Sequence, residues 1–204
     1  MSDIFQIIRT NNVKEYYSAI DNIDINTLND YKQNSLQESI AYDNDEISYD
    51  LIKREINLNH KDEDGKTSLH YCAAHNNYDI AKIILEKGCD INICDNHGNN
   101  PLWVAVCNAR GVYNMVELFV VFKANINNKN NADKSSLDFA KQIEDEELIE
   151  ILIQTPTGAR LQRLPTYLIK IVVAFVTRQT KSHWRSFIRN SGARLHRVPT
   201  YIKR

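Results

Sequence analysis

The sequence predicts an all-α fold, a solenoid of about five helix-turn-helix units that fills residues 1–154. The first observation is a leucine that recurs after 33, 33 and 35 residues, at Leu36, Leu69, Leu102 and Leu137. The second is an asparagine series with the same three steps, at Asn26, Asn59, Asn92 and Asn127. Two landmarks that lengthen in the same interval fix one register, and a fixed period of this length is the mark of a stacked repeat.

The unit over residues 62–93 shows the pattern most clearly. A tight turn at Asp62 and Gly65 comes before Thr67, which caps a first helix with a small apolar face. Asn76-Asn77 ends that helix, and Gly88 supplies the left-handed residue that ends a second one. The second helix has apolar residues at helical spacing, namely Ile80, Ala81, Ile83, Ile84 and Leu85.

Two stretches of this unit resemble the ankyrin repeat. The sequence TSLHYCA at 67–73 is similar to the family's T-P-L-H-x-A, and GCDIN at 88–92 is similar to its closing G-A-D-V-N. The resemblance implies an ankyrin-repeat solenoid over residues 1–154. It is weaker in the second and fifth units, where Lys32 and Asp133 replace the turn glycine and Asp138 replaces the signature histidine. The exact turn geometry of those two units is left open.

The remaining elements follow from the same register. Residues 2–25 read as a shortened capping unit with two short helices. Each later first helix begins with a residue able to cap it, at Asn34, Thr67, Asn100 and Ser135, and Pro101 takes a first helical position. The two extra residues of the fourth unit fit at Ala109-Arg110. There they lengthen a helix or loop at the edge of the concave groove that the ankyrin resemblance implies. Residues 144–147 are acidic and open the last helix.

Charge divides the chain in two. Residues 1–154 hold 14 Lys and Arg against 26 Asp and Glu, a formal charge of −12, while residues 155–204 hold 11 against none, or +11. The second segment also repeats itself, as GARLQRLPTY at 158–167 and GARLHRVPTY at 192–201. We predict a basic tail over 155–204 that is poorly ordered. The alternative is a short helix around 167–176 that closes the end of the solenoid.

The search for chemistry finds no catalytic residues. The chain has no recognisable nucleophile motif, phosphate-binding loop or H-E-x-x-H sequence, so we expect neither an enzyme nor a cofactor. His70 stands at the ankyrin signature position, and the resemblance implies that it ties neighbouring turns together. The spacing of Cys89, Cys94 and His97 superficially resembles a metal site, but Cys72 and Cys89 occupy positions for small buried residues. We therefore expect packed thiols and no metal.

No secretion signal is recognisable at the N-terminus, and the longest apolar run, at 171–176, is too short to span a membrane. We expect a cytoplasmic, monomeric protein. The ankyrin resemblance implies that partners bind at turn tips and first-helix surfaces, where we expect Tyr71 to act as an aromatic anchor. Trp103 fits either an anchor or packing between repeats. The candidate partner-binding residues are Glu63, Asp64, Lys66, Tyr71, His75, Asn96, His97, Asn99, Trp103, Asn108, Arg110, Asn131 and Lys134.

The function expected from these features is protein–protein interaction with a basic partner, because the repeats are acidic. The fourth and fifth units also resemble those of small bacterial ankyrin proteins that are thought to be immunity proteins. That resemblance implies an inhibitor that neutralises a basic toxin by binding it. The alternative is nucleic-acid or anionic-membrane association through the tail, whose arginines are interleaved with Tyr167, Trp184 and Tyr201.

Overall fold

A computed structural model describes residues 3–153, which form five consecutive helix pairs. The prediction of an all-α solenoid of about five helix-turn-helix units is confirmed. The predictions for the tail, residues 155–204, lie outside the described residues and stay predictions. The pairs are α1 Ile4–Arg9 with α2 Val13–Ala19, α3 Ser35–Ala41 with α4 Asp45–Lys53, α5 Ser68–His75 with α6 Tyr78–Glu86, α7 Pro101–Asn108 with α8 Asn114–Val121, and α9 Ser136–Gln142 with α10 Glu146–Ile153.

The helices form two layers. The first helices α1, α3, α5, α7 and α9 contact one another in sequence, and the second helices α2, α4, α6 and α8 each contact the next second helix. The core lies between the layers. The periodic leucines Leu36, Leu69 and Leu102 are fully buried there, whereas Leu137 in the outermost unit is half-buried. Each unit therefore buries its apolar face against its neighbours rather than within itself.

The predicted caps begin the first helices. The side chains of Asn34, Asn100 and Ser135 accept hydrogen bonds from the backbone N–H groups three residues on. At Thr67, which caps the first helix of the third unit, the backbone N–H donates to His70 Nδ1 at 2.9 Å. Backbone N–H groups at the start of a helix have no partner within the helix, and these bonds satisfy some of them. The capping residues therefore fix where each first helix starts.

All four long turns share one geometry, including the two that the sequence left open. Each begins with Asn or Asp, and its side-chain oxygen accepts from the backbone N–H groups two and four residues on. The residue three positions on has a positive φ, +57° for Lys32, +78° for Gly65 and Gly98, and +56° for Asp133. Lys32 and Asp133 therefore adopt the left-handed conformation that glycine takes in the middle units.

The extra length of the fourth unit lies in a loop and not in a helix. Helices α5 and α7 both have eight residues, but two residues separate α5 from α6 while Ala109 to Tyr113 separate α7 from α8. Arg110 and Gly111 both have positive φ in this loop. At the last helix, Asp145 Oδ1 accepts from the backbone N–H of Leu148 at 3.0 Å, as expected for an acidic helix start. Between residues 3 and 153 no helix is long and apolar enough to cross a membrane.

Candidate protein-binding face

The turn tips are joined by a ladder of hydrogen bonds. The backbone N–H of Glu63 donates to the Tyr31 carbonyl at 3.1 Å, that of Asn96 to the Asp64 carbonyl at 2.8 Å, and that of Asn131 to the His97 carbonyl at 2.9 Å. Side chains add to the ladder, because Asn96 Nδ2 donates to the Glu63 carbonyl at 2.8 Å and Asn131 Nδ2 to the Asn96 carbonyl at 3.0 Å. These two predicted binding residues thus use their amide donors within the solenoid.

His70 ties neighbouring turns together, as the resemblance implied. Its Nδ1 accepts from the Thr67 N–H, so the ring is neutral with its proton on Nε2, which donates to the Asn99 carbonyl at 3.0 Å. Burial lowers the pKa of His70 below its usual value, although the bond to Asn99 opposes that shift. Gln37 ties the second unit to the next turn in the same way, because its Nε2 donates to the Lys66 carbonyl at 2.8 Å.

Trp103 takes the signature histidine's position in the fourth unit and packs between repeats. Its ring lies 5.6 Å from the ring of Phe139, centroid to centroid, with the planes inclined at 59°. Trp103 is half-buried, so part of the ring still faces solvent. The sequence left open whether Trp103 packs between repeats or anchors a partner, and the structure shows the packing. Anchoring of a partner stays a prediction.

Tyr71, the expected anchor, is half-buried and its hydroxyl is fully engaged. The hydroxyl donates to Asp62 Oδ2 at 2.6 Å and accepts from Gln33 Nε2. Burial, and then the bond to Asp62, raise the pKa of Tyr71 well above its ordinary value. The phenol therefore holds the second and third units together, and a partner can use only the part of the ring that remains exposed.

The other predicted residues lie in two groups. Glu63, Asp64, Lys66, His97 and Lys134 are at the turn tips, where Lys66 Nζ forms an ion pair with Asp64 Oδ2 at 2.8 Å. Asn99 joins this group, with its amide bonded to Asp95 and Asn130. The second group follows the ends of the first helices and comprises His75, Asn108 and Arg110, all exposed.

A helix of eight residues is about 12 Å long, so the two groups border the first-helix layer on opposite sides. Arg110 lies in the α7–α8 loop, beyond the end of the helix. The candidate residues therefore frame a long face and do not converge on one site.

The first-helix layer contains a hollow at its N-terminal end, with a volume of about 640 Å³. We call it the N-terminal hollow. Tyr71, Asp64 and Lys66 of the third unit line it, but most of its lining comes from the second unit. Tyr31 is 58% exposed and Tyr42 is 49% exposed, so each presents a large aromatic ring to solvent. The second-unit residues that line it are Asp30, Tyr31, Gln33, Glu38, Ala41 and Tyr42.

Sequence reasoning missed these second-unit residues although the signal was present. Tyr31 stands 33 residues before Asp64, and Tyr42 stands 33 residues before His75. Both therefore occupy positions that were selected in the third unit as partner-binding. The candidate residues lie in the third to fifth units, and none lies in the second unit. Extending the same register by one period identifies Tyr31 and Tyr42 from the sequence, although not the hollow that they border.

The base of the hollow is a network of polar side chains around one buried carboxylate. Glu38 is only 3% exposed, and its carboxylate accepts from Arg9 Nε at 2.6 Å and from Asn29 Nδ2 at 3.0 Å. The bond to Glu38 raises the pKa of Arg9. Asn29 Nδ2 also contacts Gln33 Oε1 at 2.6 Å, and Gln33 in turn donates to Tyr71. A continuous chain of side-chain bonds thus fixes the shape of the hollow across three units.

The cysteines show no arrangement for metal binding in the part of the chain that the structure describes. No group of three or more His, Cys, Asp and Glu side chains within residues 3–153 is placed to hold an ion. Cys72 is fully buried, and burial raises its thiol pKa far above the ordinary value. Cys89 is half-buried, with its Sγ 2.8 Å from Asn59 Oδ1. Cys72 in particular is the packed thiol that its position predicted.

The comparisons with known proteins agree with the geometry. Residues 51–105 match the family model described as ankyrin repeats in many copies, and residues 97–131 match the model described as ankyrin repeat. An ankyrin repeat protein of Fowlpox virus (strain NVSL) is 36% identical over 83 residues, covering 41% of this chain and 44% of the relative. A second ankyrin repeat protein of that virus is 38% identical over 69 residues, which is 34% of this chain and 16% of the relative.

The human neurogenic locus notch homolog protein 1 is 42% identical over 59 residues, which is 28% of this chain and 2% of that protein. The chain thus spans less than half the length of each of these relatives. Helix pairs, period and matches together show an all-α ankyrin-repeat solenoid. Ankyrin repeats are in general non-enzymatic and indicate a protein–protein interaction module. These relatives are viral and eukaryotic, so they lend no specific support to a bacterial immunity role.

Proposed function

We propose that this protein binds a basic polypeptide on its first-helix face, with the N-terminal hollow as the centre of the contact. One observation carries the proposal. Two exposed tyrosines, Tyr31 and Tyr42, border a hollow of about 640 Å³ on a solenoid segment whose formal charge is −12. Tyrosine is enriched among the residues that contribute most to binding, because it supplies a large contact area and a polar tip.

The construction of the hollow supports the same proposal. Its base is already bonded, with Glu38 held by Arg9 and Asn29, so a partner meets a preformed surface and spends little on ordering it. Tyr31 and Tyr42 stand at positions that the ankyrin framework leaves free to vary, and changes there alter binding without disturbing the stack. A negative potential over the whole segment speeds the encounter with a basic partner and disfavours nucleic acid at this face.

A narrower form of the proposal is the inhibitor role that the sequence suggested. In that form the partner is a basic toxin, and the protein neutralises it by covering its working surface. The acidic face supports this form as well as it supports any other basic partner. Identification of the captured partner separates an inhibitor from a scaffold.

The test is affinity capture from the native host with the full-length chain as bait. We expect the wild type to retain a basic protein that the double variant Tyr31→Ala, Tyr42→Ala loses. The purified partner should then bind the double variant more weakly by about 2 kcal/mol or more, because two central aromatic contacts are removed. Val112→Ala is the control, since Val112 is 58% exposed in the α7–α8 loop, away from the hollow. An acidic partner, or equal capture by wild type and double variant, contradicts the proposal.

A second candidate function belongs to the tail. Residues 155–204 carry 11 basic and no acidic side chains, with aromatic residues interleaved, a composition typical of segments that neutralise phosphates and stack on bases. Binding of the full-length chain to single-stranded RNA should then fall steeply as salt is raised. Replacement of Arg185 and Arg189 by Gln should flatten that dependence. No binding at low salt contradicts this candidate.

A further inference from the structure

The second-helix layer carries a surface that the proposed function does not use. Tyr17 on α2 and Tyr49 on α4 are 45% and 40% exposed, and they border a shallow hollow of about 370 Å³. Glu46, Asp50 and Lys53 complete its lining. Glu46, Tyr49 and Lys53 follow one another at helical spacing along the solvent side of α4. We call this surface the outer tyrosine patch.

The base of the patch is rigid. The ring of Tyr17 lies edge-on to the ring of Tyr16, with the centroids 5.2 Å apart. The Tyr16 hydroxyl donates to Asp50 Oδ2 at 2.8 Å, and Arg54 Nε donates to the same oxygen at 2.6 Å. Arg54 also reaches Asp21 through Nη1 at 2.7 Å. Asp50 and Arg54 are therefore paired with each other within the fold, and they hold α2 against α4.

The remaining charges around the patch are mostly negative. Glu46 lines the hollow together with Tyr49, and Asp79 and Asp45 lie close enough to Tyr49 to raise its pKa. Between residues 3 and 153, none of these three carboxylates has a Lys or Arg within ion-pair distance. Their neighbourhood is visible in the pKa of Asp45, which is raised by partial burial and then by repulsion from Asp43 and Asp79.

Burial and negative charges near the patch also raise the pKa values of its two tyrosines. The pKa of Tyr49 is raised by burial and then by Asp79 and Asp45, and that of Tyr17 by burial and then by Asp50 and Glu46. Carboxylates thus stand close to both exposed rings. Such a set lowers the free energy of any cation that comes to rest between the rings.

We propose that the outer tyrosine patch is a second docking surface, which takes an arginine side chain from a basic protein partner between Tyr17 and Tyr49. The planar guanidinium stacks on an aromatic face and also pairs with carboxylates, whereas an ammonium offers only a point charge. The carboxylates come from Glu46, which lines the hollow, and from Asp79, whose charge acts on Tyr49. The surface lies in the second-helix layer, so its occupation is independent of the N-terminal hollow.

The experiment is NMR titration of the full-length protein with tyrosine rings labelled, using the capped peptide Gly-Arg-Gly-Arg-Gly as the probe. The ring signals are assigned with Tyr17→Phe and Tyr49→Phe. We expect the signals of Tyr17 and Tyr49 to shift with saturation, while the same peptide with glutamine in place of arginine leaves them unmoved. The double variant Glu46→Gln, Asp79→Asn should weaken binding about fivefold, the loss expected for two exposed ion pairs.

The matched control removes two charges elsewhere in the same layer, with Glu147→Gln and Glu150→Gln on the exposed side of α10. It should leave the affinity at Tyr17 and Tyr49 nearly unchanged. Equal weakening by both double variants would reduce the effect to net charge and overturn the inference. Shifts confined to other tyrosine rings, with none at Tyr17 and Tyr49, would place the peptide elsewhere on the protein and overturn the inference as well. The wild-type titration decides the matter even if a variant fails to fold.

Discussion

Replacing Tyr71 by Phe tests whether the hydrogen bonds of its phenol stabilise the fold. The substitution keeps the ring and removes one hydroxyl, which donates to Asp62 Oδ2 at 2.6 Å and accepts from Gln33. A hydrogen bond to a charged group contributes about 1.5–3 kcal/mol and a neutral one about 1 kcal/mol. Water can reach a half-buried site, so new hydrogen bonds to water offset part of this loss of stability. We therefore expect Tyr71→Phe to lower the free energy of unfolding by about 2 kcal/mol.

The assay is urea-induced unfolding of the full-length chain, followed by circular dichroism. Tyr31→Phe is the matched control, because Tyr31 is 58% exposed, and its free energy of unfolding should change by less than about 0.5 kcal/mol. The midpoint of Tyr71→Phe should fall while the slope stays constant. A value for Tyr71→Phe as small as that of the control would refute the reasoning and leave Tyr71 free to serve mainly as an anchor.

Two further predictions concern stability. His70 has a folded-state pKa below the ordinary 6.5, so the unfolded chain binds a proton first and stability falls as the pH drops below that value, by up to about 1.4 kcal/mol per unit. His70→Gln should remove this component from pH-dependent urea unfolding, and an unchanged pH profile contradicts it. Gly65→Ala should cost about 2–3 kcal/mol in thermal or urea unfolding, since its Cβ would lie 2.6 Å from Asn96 Oδ1 at a φ of +78°. Gly88→Ala, with a similar φ and open space, should cost only about 1 kcal/mol, and equal losses would contradict the steric argument.

Local chemistry explains why so much of the fold was predictable. A cap such as Asn34 or Ser135 bonds to a backbone group three residues away, and a turn residue such as Asp62 bonds to groups two and four residues away. Such bonds depend on spacing in the chain, which the sequence shows directly. The same logic placed the two extra residues near Ala109-Arg110, because an insertion that breaks a strict period must fall between two repeated landmarks of the register. Whether they lengthen a helix or a loop was left to the structure.

The binding face was less predictable for a physical reason. The repeat pattern predicts exposed positions for Asn96, Asn131 and Tyr71, yet each uses polar atoms to bond a neighbouring unit. The partner atoms lie in residues 33 to 38 positions away, and their distances depend on how the units stack. The hollow between Tyr31 and Tyr42 arises in the same way, from side chains of three successive units.

The sequence alone determined the number of units, their register and the start of the first helix in the second to fifth units, because all three depend on bonds and apolar spacing within one repeat. Only the tertiary structure decided which side chains of the first-helix face are already bonded, such as Tyr71, and which remain open, such as Tyr31. It also brought Tyr17 and Tyr49 together on the second-helix layer. Contacts between repeats join residues about one period apart, and their geometry is set by the packing of whole helices rather than by the order of residues in the chain.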